Sequence, residues 1–593
     1  MALEFISNII GTSPKVWTTT TATAVAQIQA RMAAATEVRI FVDNSINFGH
    51  QSGSVLLMKR LIDYFGFHGE GKTATMAYPA ERADETLRKL ALLLPGLNPA
   101  DPQNIIYNGV TVRFMTVEAL FGNAAIGQVN YGFTAGADPA GGRDAPNWFA
   151  INLKVNLFLQ LQTYQRPGVQ LVQNGGDNRE TPAYDLTTVT ALGLGFNYRA
   201  WYTPEEYWTP TADDWIYYTT SDEISATNRY HALLIQALIE FMNGNADALR
   251  LMPVYGIKTP PNQMGMQPEN LLPSVISTAL GGCFLDPAHI PVVVVSMNND
   301  LTDAQYDASF RICRGGRTSD EQMAQDMYET AVAEETAARA NVNNPPEGAD
   351  LAELQTVLDV ATADTVYSQG TSDMQTAGWQ SRHNWLNARN ADPGVNFLSS
   401  VQRGDTAPVT VAGLDAALAN LINPALTARP AVLFLELGSL PPLIFSYLMS
   451  RANCPNVFEG ANSNNLVLNQ GGCYLRMRNT HAQAYEANVR YPQSWYLTRY
   501  NSYTQSAMES LSAADGITSA LNQTMISAAD FVPNITLTTD YVNHFYFSDN
   551  TSLRTYYAQN HAYYHDANND RFMLGLSYMN QIAINQMIPI NDA

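Results

Sequence analysis

Short apolar runs of strand length recur along this chain, each followed by a loop rich in Gly, Pro or Asn and then by a stretch with helical period. The first is Val38-Arg39-Ile40-Phe41-Val42, with a polar loop over Asp43 to Ser52 and an amphipathic helix from Val55 to Tyr64. Ala74–Ala77, Val110–Phe114 and Val169–Val172 read as further strands with helical patterns between them. In the second half the same alternation starts near Leu251, runs through Val292-Val293-Val294-Val295, and returns at Val432-Leu433-Phe434-Leu435. Strands alternating with helices predict parallel sheets closed by crossover helices, hence an α/β fold. At 593 residues the chain exceeds what one core supports.

The expected organisation is therefore an irregular leader and helix over 1–36 (helix Ala24 to Ala35), then a Rossmann-like domain over 37–245. A second Rossmann-like domain spans 246–495, with a helical insertion at about 318–400, and a helical region covers 496–593. Within the insertion, acidic helices are expected over Ser319–Asn341 and Asp350–Ala361, broken by Asn343-Asn344-Pro345-Pro346. An aromatic-rich stretch (Trp201, Tyr202, Tyr207, Trp208, Trp215, Tyr217, Tyr218) suits a domain edge or a cleft wall, and a long helix is expected near Asn228–Met242. No internal repeat of fixed period is visible, which argues against solenoids and propellers.

Charge and cysteine usage remove several functions. A net charge of −21 is the wrong sign for an extended nucleic-acid surface, which needs a basic stripe to displace counterions. Cys283, Cys313, Cys454 and Cys473 form no CxxC pair, so zinc clusters and thioredoxin-like motifs lack their ligand spacing, and buried free thiols are expected. The start, Met1-Ala2-Leu3-Glu4-Phe5, lacks the basic residues and long apolar core expected of a signal peptide. Residues 431–449 contain Glu436, Gly438 and two prolines, which makes them a buried strand and helix instead of a membrane span. The expectation is a soluble chain, cytoplasmic or exported without a cleaved signal, with neither nucleic acid nor a membrane span as partner.

Two loops carry the candidate chemistry. The first, Asp43-Asn44-Ser45-Ile46-Asn47-Phe48-Gly49-His50, follows a strand and precedes a helix; Gly49 and Gly53 allow close backbone approach. The second follows Val457-Phe458 and reads Glu459-Gly460-Ala461-Asn462-Ser463-Asn464-Asn465, ahead of the apolar Leu466-Val467-Leu468. In an open parallel sheet, ligands sit outside the carboxyl ends of strands, where loops and helix N-termini collect. Asn462 or Ser463 would also cap a following helix whatever the function. Gly438 and Ser439 end a third strand in the same way.

The first loop, with the helix Val55-Leu56-Leu57-Met58-Lys59-Arg60-Leu61, resembles the opening of GT-B glycosyltransferases. The Asp-Asn pair is also similar to the opening of bacterial protein-arginine rhamnosyltransferases, although their second acidic position reads Asn47-Phe48 here. The second loop, with Gly471-Gly472-Cys473-Tyr474-Leu475 downstream, looks like the donor-binding stretch of the GT-B group. The resemblance implies two Rossmann-like domains facing across a cleft, with His50 or Asp43 as the base. It places Glu459 on the ribose hydroxyls. Ser463, Asn462, Asn464, Gly460 and the backbone of Gly49, Gly438 and Ser439 fall around a nucleotide-diphosphate sugar. Such an enzyme needs no obligatory metal cofactor, and its acceptor extends to proteins, as for a bacterial effector or toxin. A non-catalytic α/β scaffold that keeps the fold is the rival.

Other motifs fail on context. Gly66–Thr73 satisfies GxxxxGK[ST], but a helix precedes it and a strand follows, the reverse of a phosphate-binding loop. Asp566–Asp570 opens like a calcium loop without its closing acid, since Ser577 stands there. Asp213-Asp214, Asn298-Asn299-Asp300 and the pair His561, His565 offer metal ligands without a complete set.

Overall fold

A computed structural model describes residues 21–43, 48–135, 146–162, 191–195, 203–256, 272, 275–276, 279–280, 289–297, 301–317, 319–388, 394–426, 430–458, 463, 466–467, 469–472, 474–477, 525–526, 572, 576 and 580. The chain is α/β. Its first sheet contains β1 (Glu37–Phe41), β2 (Thr73–Tyr78), β3 (Ile105–Tyr107), β4 (Val110–Thr116), β5 (Val129–Thr134), β6 (Val155–Gln162) and β7 (Ala191–Gly195), in the order β3-β4-β2-β1-β5-β6-β7. Only β3 runs antiparallel, against β4. The second sheet contains β8 (Arg250–Tyr255), β9 (Val292–Met297), β10 (Val395–Ser399), β11 (Val432–Glu436), β12 (Asn456–Phe458), β13 (Tyr474–Met477) and β14 (Met525–Ile526). Its order is β10-β11-β9-β8-β12-β13-β14, all parallel. The two sheets thus share one strand order, a structural repeat with no counterpart in sequence period. In each, the chain winds away from the central strand in one direction and later resumes on its other side. The switch points fall between β1 and β5 and between β8 and β12.

Crossover helices supply the second layer. In the first half α1 (Thr21–Ala34) precedes the sheet, and the crossovers are α2 (Gly49–Asp63), α3 (Ala83–Ala91), α4 (Val117–Gly122) and α5 (Pro146–Asn152). Val38, Ile40 and Val42 face one core layer with Leu57, Leu61 and Phe133. Phe41 faces the other, edge-on to Trp148 (5.9 Å) and Phe149 (5.2 Å). Each such apolar side chain contributes about 1.5–3 kcal/mol by leaving water, which is why a strand covered on both faces carries almost no polar residue. Arg39 is the exception, 1% exposed. Its guanidinium donates to the carbonyls of Leu153 (2.7 Å), Lys154 (3.0 Å) and Gly127 (2.9 Å) and to Glu37 (2.9 Å). It thereby locks β1 to the turn entering β6.

Between the sheets lie α6 (Ala212–Thr220) and α7 (Ala226–Gly244). Thr211 and Asp214 form a capping box on α6, so Asp214 is a structural cap. The second half carries α8 (Asp303–Cys313), α9 (Ser319–Asn343), α10 (Leu351–Ala388), α11 (Val411–Ile422) and α12 (Pro442–Ser450). Cys313 and Cys454 are buried. No described helix is long and apolar enough to cross a membrane.

The structure corrects the sequence reading in several places. α2 begins at Gly49, so the loop expected to run to Ser52 ends sooner and His50 belongs to a helix. α10 extends to Ala388, far beyond Ala361, because its later seam is built from Thr365, Ser368 and Ser372, which give no apolar period to read. Thr365 donates to the Ala331 carbonyl (3.1 Å) and Ser372 to Gln325 (3.1 Å) across to α9. The helical insertion therefore ends before 395, since Val395–Ser399 is a sheet strand paired with β11. β3 was not anticipated, although Asn108-Gly109, both with positive φ (46° and 80°), is the residue pair that a tight primed hairpin turn favours. Phe572 and Leu576 are buried, and Phe572 meets Phe65 (5.3 Å) and Phe133 (6.2 Å), so this late segment packs on the first sheet's helical layer. The expected strand at Val169–Val172, Trp201, Tyr202, Asn298–Asp300, His561, His565, Asp566–Asp570, Cys283 and Cys473 lie outside the described residues.

At the carboxyl edge of the second sheet, Glu436 (2% exposed) accepts from Ser399 (2.6 Å) and pairs with Arg403. Arg403 in turn reaches the Leu301 carbonyl and Asp303, and so fastens the ends of β9, β10 and β11. Replacing Glu436 by Gln leaves the largely covered Arg403 guanidinium with only the exposed Asp303 as counter-charge. We expect a loss of roughly 3 kcal/mol, read as a lower denaturant midpoint, with Arg403→Met on the Glu436→Gln background recovering part of it.

Candidate functional site

Asp43 follows β1 by two residues, at the switch point of the first sheet. It is fully buried, and its Oδ2 lies 3.0 Å from Nδ1 of His50, itself 4% exposed. α2 has no side-chain N-cap: Phe48 occupies the cap position. Its start is secured from within the first turns instead. Gln51 donates to the Asp43 carbonyl (2.6 Å) and Ser54 to the Phe41 carbonyl (3.2 Å), the latter oxygen also accepting from Thr134 of β5 (3.1 Å). These bonds explain why the helix starts at Gly49, earlier than the apolar period suggests.

The pair has a defined chemistry. A carboxylate against Nδ1 fixes the imidazole tautomer with its proton on Nδ1, which leaves Nε2 as the basic nitrogen. The carboxylate also lies at a helix N-terminus, where the backbone dipole favours negative charge. Such a couple can take a proton from a bound nucleophile and hold the resulting imidazolium. The sequence reading named both residues without deciding between them; the structure brings them into contact.

At the second switch point, β12 ends at Phe458 and β8 at Tyr255. Glu459 follows Phe458 directly in sequence; Glu459, Gly460, Asn462 and Asn464 lie outside the described residues. Ser463 is helical and 7% exposed. Farther along, Asn469 accepts from the Thr203 backbone N–H (2.9 Å), tying this segment to the connection between the sheets.

Gly438 and Ser439 are committed to packing. The Ser439 carbonyl accepts from His231 Nδ1 (2.9 Å), and Ser439 Oγ donates to Asn228 Oδ1 (3.2 Å), both residues on α7. A Cβ on Gly438 would lie 2.8 Å from His231 Cε1, so only glycine allows this approach. His231 was not legible as a site residue, because within α7 it sits among apolar residues on a core face.

A cavity of about 1110 Å³ runs along one face of α2, from Ser52 to Asp63, and is closed by Pro442, Leu443 and Ser446 of α12 and by Leu466. Asp43, Gly49 and His50 are not among its described lining residues, but Ser52 lies two residues past His50 and Leu466 three past Ser463. At the far end Asp63 accepts from Tyr107 (2.8 Å), Tyr207 (2.6 Å) and Asn108 (2.7 Å). Burial, with Asp63 adjacent, raises both tyrosine pKa values and keeps the phenols protonated. Lys59 projects over the Tyr107 ring (5.5 Å); burial lowers its pKa, against the pull of Asp63 and Asp214. Tyr207 and Tyr218 from the aromatic stretch do line this wall, whereas Trp215 packs against Tyr447 (5.9 Å). Among the described residues no group of three His, Cys, Asp or Glu side chains could hold a metal ion.

His231 supplies a pH test. Burial lowers its pKa below the ordinary 6.5, against the Ser439 carbonyl contact that raises it. The unfolded chain therefore binds a proton before the folded one does as pH falls. The stability held by neutral His231 is complete above about pH 6.5 and is lost progressively below it. Unfolding midpoints measured from pH 7.5 to 5 should fall less steeply for His231→Asn than for the unaltered chain.

Comparison of the sequence with protein-family models and with curated proteins found no match.

Proposed function

We propose that this chain is a glycosyltransferase, moving a sugar from a nucleotide-diphosphate donor to a nucleophilic acceptor in a cleft between its two sheets. One observation carries the reading: the buried Asp43–His50 couple stands at the switch point of the first sheet. The Glu459 loop follows the strand that forms the switch point of the second. Open α/β sheets bind ligands at such points.

In this reading His50 Nε2 takes the proton of the acceptor hydroxyl or amine as that atom attacks the anomeric carbon. The bond from that carbon to the phosphate oxygen breaks, and the nucleoside diphosphate leaves with the electron pair. Asp43 holds the tautomer and offsets the charge on the imidazolium. Glu459 accepts from the ribose hydroxyls, and backbone N–H groups near Ser463 bind the diphosphate as an anion at a helix start. That arrangement needs no metal and few cationic side chains, in keeping with 33 Lys and Arg among 593 residues. Acceptors of protein type would fit an effector or toxin.

The test is a panel of nucleotide-diphosphate sugars. A true donor at 100-fold its Kd adds about 2.7 kcal/mol of stability and raises Tm by a few degrees. If none of the panel shifts Tm or is turned over, the non-catalytic scaffold is the better reading. With the donor in hand, His50→Ala should lower kcat by about 10²–10⁴ while donor Kd stays within roughly twofold. Asp43→Asn should lower kcat as well. If Asp43→Asn abolishes turnover and His50→Ala leaves it intact, the aspartate is the base. Separately, Glu459→Ala should weaken donor binding by roughly tenfold in calorimetric titration, the loss of a charged hydrogen bond; unchanged affinity removes Glu459 from the site.

A further inference from the structure

Helices α9 and α10 form an antiparallel pair whose seam mixes Ala, Ser and Thr with a few larger residues. On α9 the seam positions are Glu321, Ala324, Tyr328, Ala331, Glu335 and Ala338, at alternating steps of three and four. On α10 they are Leu354, Leu358, Ala361, Thr365, Ser368 and Ser372. The hydrogen bonds from Thr365 to Ala331 and from Ser372 to Gln325 fix the register. With these as a and d positions of a heptad, the g positions of two antiparallel helices lie on one side of the seam and the e positions on the other.

The g side is apolar and open to solvent. Met323 (53% exposed) and Met327 (51%) come from α9, and Val357 (53%), Val360 (57%) and Tyr367 (74%) from α10. The charges at g and c positions on that face, Glu334, Glu353 and Asp364, are all acidic. The opposite side carries fewer apolar side chains, Val332 (37% exposed) and Val366 (65%), set among polar pairs: Gln325 bonds Glu329 (2.8 Å) and Gln355 bonds Asp359 (2.9 Å). Two helices with apolar residues at both flanking positions present the groove that a third helix fills in a bundle. Met and Tyr are residue types favoured at such docking surfaces. The charge decides the occupant. Residues 319–388 hold twelve Asp and Glu against two Arg, so a second copy would bring acid against acid.

We propose that the g face of the α9–α10 hairpin is a docking site for a basic amphipathic helix of a partner protein. The partner's apolar stripe covers Met327, Val360 and Tyr367, and its flanking Lys or Arg side chains meet Glu334 and Asp364. The inference is independent of the glycosyl-transfer reading.

The probe is a labelled peptide of three heptads, Leu at a and d and Lys at e and g, titrated with the full chain and read by fluorescence anisotropy. A peptide with Glu in place of Lys is the control. We expect the Lys peptide to bind and the Glu peptide to bind at least roughly tenfold more weakly. Val360→Glu and Tyr367→Glu separate the proposal from plain charge attraction. Each adds a negative charge, which alone would tighten binding of a cation, but each spoils the apolar seat and should weaken it by roughly tenfold or more. Both positions are exposed, and circular dichroism melting should stay within a degree or two of the unaltered chain. Failure of the unaltered chain to bind the Lys peptide, equal binding of the Glu peptide, or unchanged or tighter binding by both variants would each overturn the proposal. So would a dimer in sedimentation equilibrium that the same two substitutions dissolve.

Discussion

A parallel strand buried on both faces cannot turn straight back into its neighbour. The chain must cross the sheet through a helix, and every crossover starts at the same edge. This constraint orders the molecule. It puts the ends of β1 and β5 beside one another, and those of β8 and β12, and so fixes where loops of both halves collect. Because the strands are apolar on both sides, the polar groups that chemistry needs are confined to these edges. Asp43, His50 and Glu436 are all at carboxyl ends of strands or on the helix that leaves them.

Buried charge at the sheet edges is held by redundancy. At the amino edge of the first sheet Arg39 makes four hydrogen bonds, three of them to carbonyls just ahead of β5 and β6; at the carboxyl edge of the second, Arg403 reaches Glu436, Asp303 and the Leu301 carbonyl. A guanidinium can satisfy several acceptors in fixed geometry and keeps its charge at any physiological pH, so it serves as a permanent staple between elements distant in sequence. His231 does the same job more weakly for the Ser439 loop, and its lower pKa makes that staple sensitive to acid. The Asp43–His50 couple differs in kind. There a buried carboxylate meets an imidazole instead of a permanent cation, a pairing of two groups that can each exchange a proton.

The hairpin α9–α10 stands outside this logic. Its seam is largely Ala, Thr and Ser, with Leu354, Leu358 and Tyr328 as the larger apolar members, while Met323, Met327, Val357, Val360 and Tyr367 stay exposed on one side. Apolar residues turned away from the core of their own chain need another surface to cover them. The acidic rim narrows the choice of what that surface carries.

The α/β class and most strands of the central sheets were legible because short apolar runs such as Val292–Val295 and Val432–Leu435, bounded by Gly, Pro and Asn, alternate with helical stretches. The candidate residues Asp43 and His50 were legible from their place after the first such run. Local sequence could not show that these two side chains touch, since the helix start depends on bonds from Gln51 and Ser54 to carbonyls around β1. Nor could it show the common strand order of the two halves, which is a matter of which strands pair across hundreds of residues. β10, the full length of α10, the role of His231 and the staples at Arg39 and Arg403 were settled by tertiary contact alone. Periodicity reports which side of an element avoids water; pairing partners, register and the neighbours of a buried polar group are decided by segments far away in the chain.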